Sequence, residues 1–258
     1  MFWLKQRRRR RLRMTPFPAS WLKIIRRNVP YVHILSQEDC HELQGHLQVF
    51  LAEKIFEGCG GLTVTDEIRV TIAAQACLLL LHRVTDYYPM LRTVLVYPGA
   101  YVAPVTESVG HGLVSEGLSV RSGESWQHGS VILSWDDVLH GAADIHDGHN
   151  VVLHEFAHQL DQEAGAAEGA PILPKPSMYV AWARVLSAEY SQLQKDAELG
   201  RETIFDTYGA ENPAEFFAVA TECFFEKALQ LKEKHPRLYE ELRLFYRQDP
   251  AQFYRRSD

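Results

Sequence analysis

The segment Asn150-Val-Val-Leu-His154-Glu155-Phe-Ala-His158-Gln-Leu-Asp161 has the residue types and spacing for metal-assisted hydrolysis. At about 100° per residue, a helix capped by Asn150 and ended near Gly165 gathers Leu153, Phe156, Ala157 and Leu160 on one arc. His154, His158, Asp161 and the neighbouring Glu155 fall on the other. The two histidines lie one turn apart, so both imidazoles can point at one ion. Glu155 beside them can hold a metal-bound water rather than the metal. This is the H-E-x-x-H arrangement of zinc hydrolases, with Glu155 as general base.

Two histidines do not complete a catalytic zinc site, which takes three protein ligands and one open position. Asp161 lies almost in line with them on a straight helix, poor geometry for a tetrahedral ion. It reads either as a partner orienting an imidazole N–H or as an exposed carboxylate. The better source of a third ligand is Tyr208-Gly-Ala-Glu-Asn212-Pro213-Ala-Glu215-Phe-Phe-Ala. Asn212 as cap and Pro213 at the first position announce a helix with Glu215 in its first turn. The competing reading of Glu215 is a carboxylate bonding back to Asn212 in a capping box. Glu222, seven residues on, is the alternative ligand or a supporting group, and Tyr208 is alternatively a core aromatic.

The remaining elements must position these groups. Helices are expected over Ser20 to Arg27, from Ser36 to about Glu57, and from Thr65 to about Arg83. Thr93 to Tyr97, Leu118 to Arg121 and Ser130 to Ser134 read as strands. Residues 98–117, with four glycines and two prolines, read as a functional loop. A short helix to about Ala143 follows, and then helices over about 150–165, 176–199, 212–227 and 235–247. The connection 166–175 reads as a mobile surface loop. The expectation is an α+β fold, mostly helical, with one small mixed β-sheet and no linker dividing it. Ser130, Val131, Ile132 and Leu133 are candidate substrate-binding residues, because a sheet edge beside the metal can pair with an extended peptide.

A length of 258 residues suffices for one large domain, and 46% apolar with 23% charged residues excludes a disordered or fibrous chain. The four cysteines form no C-x-x-C pair, which excludes thiolate zinc ribbons and thioredoxin-like redox chemistry. The longest apolar stretch, Ile72 to Leu81, is too short to span a membrane and no signal-like apolar run follows the early arginines. A cytoplasmic protein is therefore expected. Residues 1–13 carry Lys5, Arg7 to Arg11 and Arg13 and no acid; without these seven, 20 basic residues stand against 33 acidic ones. That acidic body argues against direct nucleic-acid binding as the main function. Residues 1–15 are expected to be a solvated, disordered basic tail, contact with nucleic acid or anionic lipid being the alternative. Residues 16–258 are expected to form a single domain.

The string H-E-F-A-H-Q-L-D, followed some fifty residues later by Y-G-A-E-N-P-A-E-F-F-A, resembles the Mlc titration factor A family of metallopeptidases. That family is itself similar in its catalytic core to the protease domain of anthrax lethal factor. The resemblance extends to G-S-V-I-L-S-W-D-D-V (129–138) and to most of the chain after the basic segment. It implies a zincin-like fold with one zinc held by His154, His158 and Glu215. It also implies that Glu155 is the general base and that the Tyr208 hydroxyl helps stabilise the tetrahedral intermediate. Aminopeptidase-like hydrolysis of peptides is implied, and so is a second role, the sequestering of an Mlc-like transcriptional repressor without cleavage.

Overall fold

The computed structural model describes residues 2–108, 114–121, 123–126, 129–165 and 167–254. In chain order the elements are α1 (Phe2–Arg13), α2 (Ala19–Asn28), α3 (Gln37–Glu53), β1 (Ile55–Gly58), α4 (Asp66–Leu78) and β2 (Thr93–Tyr97). Next come β3 (Tyr101–Ser108), β4 (Val114–Arg121), β5 (Gly123–Trp126), β6 (Ser130–Ser134), α5 (Trp135–Ala143) and α6 (Val151–Gln162). The chain continues with α7 (Tyr179–Glu198), α8 (Pro213–Glu226), α9 (Ala228–Lys234), α10 (Pro236–Tyr246) and α11 (Ala251–Tyr254). This is the expected α+β architecture, mostly helical with a small mixed sheet.

The sheet has the order β1-β2-β6-β5, parallel between the first three strands and antiparallel at β5. Its middle strands bury Val94, Val96, Val131 and Leu133 completely. These four side chains share one face of the sheet, since residues two apart on a strand and their partners in parallel register point the same way. Because β6 pairs with β2 on one side and β5 on the other, its backbone groups are spent within the sheet. The expectation that Ser130, Val131, Ile132 and Leu133 form a peptide-binding edge is therefore wrong. The edge on that side is β5, which packs against α6.

Several boundaries also differ. The helix expected to reach Glu57 stops at Glu53, and Ile55–Gly58 pairs with Thr93–Val96 instead. Lys54 fixes the change of direction, its Nζ donating to the carbonyls of Tyr88 and Leu91 at 2.7 Å each. The helix expected to reach Arg83 ends at Leu78, and His82 lies beyond it in the left-handed region (φ 61°). Residues expected as a loop over 98–117 contribute β3 and the start of β4, an antiparallel pair with Tyr101 opposite Arg121 and Ser108 opposite Val114.

Where a disordered basic tail is expected, α1 is a helix docked on the body. Arg9 is buried, and its guanidinium bonds both Glu53 oxygens at 2.7–2.8 Å and also pairs with Asp86. A bidentate pair with extra carbonyl contact is the geometry in which a buried arginine stabilises rather than strains.

The C-terminal half packs a cluster of aromatic rings. Phe217, Phe224 and Phe225 of α8 are fully buried with Phe245 and Tyr246 of α10, and Trp182 of α7 lies among them. Burying each such ring contributes about 2–3 kcal/mol. On the other side, Phe156 of α6 packs edge-on to Tyr88, with centroids 4.9 Å apart. Both helices that carry the chemical residues are thereby fixed from behind.

Candidate metal centre

Two caps set the helices that face each other across the site. Asn150 Oδ1 accepts from the amides of Val152 and Leu153 at 3.1 and 3.0 Å, which starts α6 four residues before His154. Asn212 Oδ1 accepts from Ala214 and Glu215 at 3.0 Å each, with Pro213 at the first position of α8. The asparagine caps its helix without help from Glu215, whose side chain turns towards α6.

Glu215 Oε2 stands 2.9 Å from His154 Nε2 and 3.2 Å from His158 Nε2. The two imidazoles are 4.9 Å apart and nearly perpendicular. One donor atom from each of His154, His158 and Glu215 lies within 4.8 Å of the others. Two neutral nitrogens and one carboxylate oxygen are the donor set of a catalytic zinc site.

The opposite nitrogen of His154 is equally well defined. Its Nδ1 lies 2.9 Å from Glu222 Oε2, while Glu222 Oε1 accepts from the amide of Asn150 at 2.7 Å. A carboxylate can only accept, so Nδ1 carries a hydrogen towards Glu222, and an ion taking the place of the Nε2 proton would find the Nε2 lone pair facing it. Burial works against charge on His154. Glu222 and Glu215 outweigh it and hold the ring well above the ordinary imidazole range. Glu215 is pulled the other way: burial would raise its carboxyl, but hydrogen bonds from His154 and His158 bring it down to about 2. The donor set of two imidazole nitrogens and one carboxylate oxygen fits a divalent metal.

Glu155 is 5% exposed and close enough to add to the field holding His154 charged. Tyr208 sits on the 3-10 turn Thr207–Ala210, which Asp206 caps by accepting from the Tyr208 amide at 2.8 Å. Its ring centroid lies 6.0 Å from that of His154, and at 47% exposure it is not a core aromatic.

Asp161 matches neither expectation for it. It is fully buried, and its two oxygens accept from the amides of Gly169 and Ala170 at 2.7 and 2.8 Å. It ties residues 167–175 to the end of α6, and Trp182 Nε1 donates to the Gly169 carbonyl at 2.9 Å. The segment expected to be a mobile loop is thus bolted to two helices. Gly169 has φ 72°, and a Cβ there would meet the Pro213 carbonyl oxygen at 2.5 Å, so only glycine fits.

Sequence reasoning missed the layer behind Glu222. Asn150 Nδ2 lies 2.9 Å from Gln75 Oε1 and 3.0 Å from Glu226 Oε1. Burial first, then the charges of Glu222 and Asp147, push Glu226 up to about 9. The available signal was the spacing of Glu215, Glu222 and Glu226, which puts three acids towards one side of an otherwise apolar helix.

The model of the glucose-regulated metallo-peptidase M90 family matches residues 3–247, so the chain belongs to that metallopeptidase family. The match begins inside α1. The uncharacterized protein slr2042 of Synechocystis is 42% identical over 245 residues, covering 94% of this chain and 89% of the relative. Proteins called Mlc titration factor A from Pectobacterium atrosepticum and Klebsiella pneumoniae are each 34% identical, over 86% of this chain and 84% of theirs. Membership in a metallopeptidase family implies a divalent metal.

Proposed function

We propose that the protein is a zinc-dependent, aminopeptidase-like peptidase, with residues 16–258 as its catalytic domain and His154, His158 and Glu215 as the zinc ligands. The observation that carries this reading is the convergence of the two Nε2 atoms and Glu215 Oε2 on one point beside Glu155. Zinc held by these residues would supply a Lewis acid to activate water and polarise a carbonyl. Glu155 takes the proton from the attacking water and passes it to the amine nitrogen as the C–N bond breaks, leaving a carboxylate and a free amine. The Tyr208 hydroxyl donates to the carbonyl oxygen as that atom gains charge. Glu222 keeps the His154 ring in the tautomer that leaves Nε2 available.

A peptide chain has one open strand to pair with near these groups. Among the described residues β5 pairs only with β6 and is in contact with α6. Pairing there reads the backbone of the substrate more than its side chains, so selectivity is modest. A cytoplasmic location belongs to this reading; no helix among the described residues is long and apolar enough to cross a membrane.

The test is Glu155→Gln. It lowers kcat on peptide substrates by at least about 100-fold while leaving zinc content at one per chain. Undiminished turnover would remove Glu155 from the mechanism. The name of the relatives, Mlc titration factor A, favours a second role in binding an Mlc-like repressor. That role predicts that the Glu155→Gln protein still captures such a repressor.

A further inference from the structure

We infer that the outward face of α1 docks the protein on anionic membrane surfaces. The helix is held rigidly from its inner side. Arg9 makes the bidentate pair with Glu53, its guanidinium carbon lies 4.6 Å over the Tyr87 ring, and Lys5 Nζ reaches Asp86 at 3.0 Å. At its exit Gln48 Nε2 donates to the Thr15 carbonyl at 2.9 Å. The opposite face is left for something outside the fold.

That face carries Arg7, Arg10 and Arg11, all exposed and without an ion pair among the described residues, while Arg8 at its border donates to the Ala52 carbonyl at 3.3 Å. They are stacked at spacings of three and four residues in a helix with no acid, an arrangement that costs helix stability. An external array of negative charge relieves that repulsion. Trp3 (69% exposed) and Leu4 flank the arginines at one end and Met14 (75%) at the other. The stripe from Trp3 to Met14 spans roughly 16 Å.

The three apolar side chains decide which polyanion fits. An indole prefers the headgroup level of a bilayer, where its ring is half-buried and its N–H stays wet. The phosphate ridges of a nucleic-acid duplex give Leu4 and Met14 nothing to pack on. A lipid surface engages both the charges and the apolar ends at once, as basic segments on cytoplasmic leaflets do.

The experiment is co-sedimentation of the full chain with vesicles of phosphatidylcholine alone, or of phosphatidylcholine and phosphatidylglycerol at 3:1. The protein should partition onto the mixed vesicles only, and high salt should release it. Each arginine near such a surface is worth roughly a factor of five in partitioning, so the triple change R7Q/R10Q/R11Q should weaken it about 100-fold. The charge-keeping R7K/R10K/R11K protein should retain most of it, and Trp3→Ala should reduce it several-fold. Circular dichroism and thermal unfolding identify any variant that fails to fold. No preference for phosphatidylglycerol, equal binding by the glutamine triple, or tighter binding to a duplex oligonucleotide than to vesicles at the same salt would overturn the inference.

Discussion

Two clusters in this molecule bring histidine and carboxylates together, and their difference shows what makes a metal centre. In the first, His154 and His158 direct their Nε2 atoms at the same oxygen of Glu215. In the second, His82, like His154, has its ring nitrogens on separate acids, Nε2 on Asp39 at 2.9 Å and Nδ1 on Glu42 at 3.3 Å, but the group of Asp39, Glu42 and His82 holds no second imidazole. Glu42 is shared further, with His46 Nε2 at 3.2 Å and with the amide of His82. The first cluster lies between two capped helices with side chains 10–16% exposed, while the His82 side chain is 41% exposed. A shared focus in a dry setting suits an ion. A ring bridging two acids at the surface suits a tie between α3 and the turn after α4.

Removing a ligand separates the two most sharply. His158→Ala should drop bound zinc from about one per chain to below one-tenth, and peptide hydrolysis with it, as read by elemental analysis of purified protein. His82→Ala should leave the zinc count unchanged. Next in size is the support of His154. Glu222→Gln removes the negative charge that accepts from Nδ1–H and should weaken zinc affinity by about 10–100-fold in chelator competition. An unaltered affinity would mean that Glu222 is only a structural bridge to Asn150.

A third experiment probes the acid behind that bridge. Glu226 has a folded-state value of about 9 against 4.5 for an ordinary glutamate, with burial the largest cause. The folded chain therefore holds the extra proton, so this residue's share of stability is present below pH 4.5 and is lost as pH rises towards 9. Glu226→Gln should stabilise the protein on the order of 1–2 kcal/mol at pH 8 and by nothing at pH 4, measured by urea unfolding. The smallest effect is expected at the surface cluster: His82→Ala should cost no more than about 1 kcal/mol.

Local chemistry was legible in the sequence where one residue type determines it. Ser36, Asn150 and Asn212 announce helix starts, and all three accept the amide hydrogen bonds of a cap. The His154 to His158 spacing and the first-turn position of Glu215 follow from those caps. Features set by distant partners were not legible. Arg9 orders α1 through Glu53 and Asp86, which are 44 and 77 residues away. Ile55–Gly58 is too short to show alternation and becomes a strand by pairing with β2. Asp161 answers to backbone amides of Gly169 and Ala170, and any sequence offers backbone amides. The internal position of β6 depends on Gly123–Trp126 crossing back beside it, a connection that a pattern of four residues does not announce.

Crystals of the zinc-loaded protein, measured on both sides of the zinc absorption edge, give the most direct answer. The account predicts one anomalous peak per chain, at about 2.0–2.1 Å from Nε2 of His154 and His158 and at coordination distance from Glu215. A peak at Asp39, Glu42 and His82 with none between α6 and α8 would contradict it.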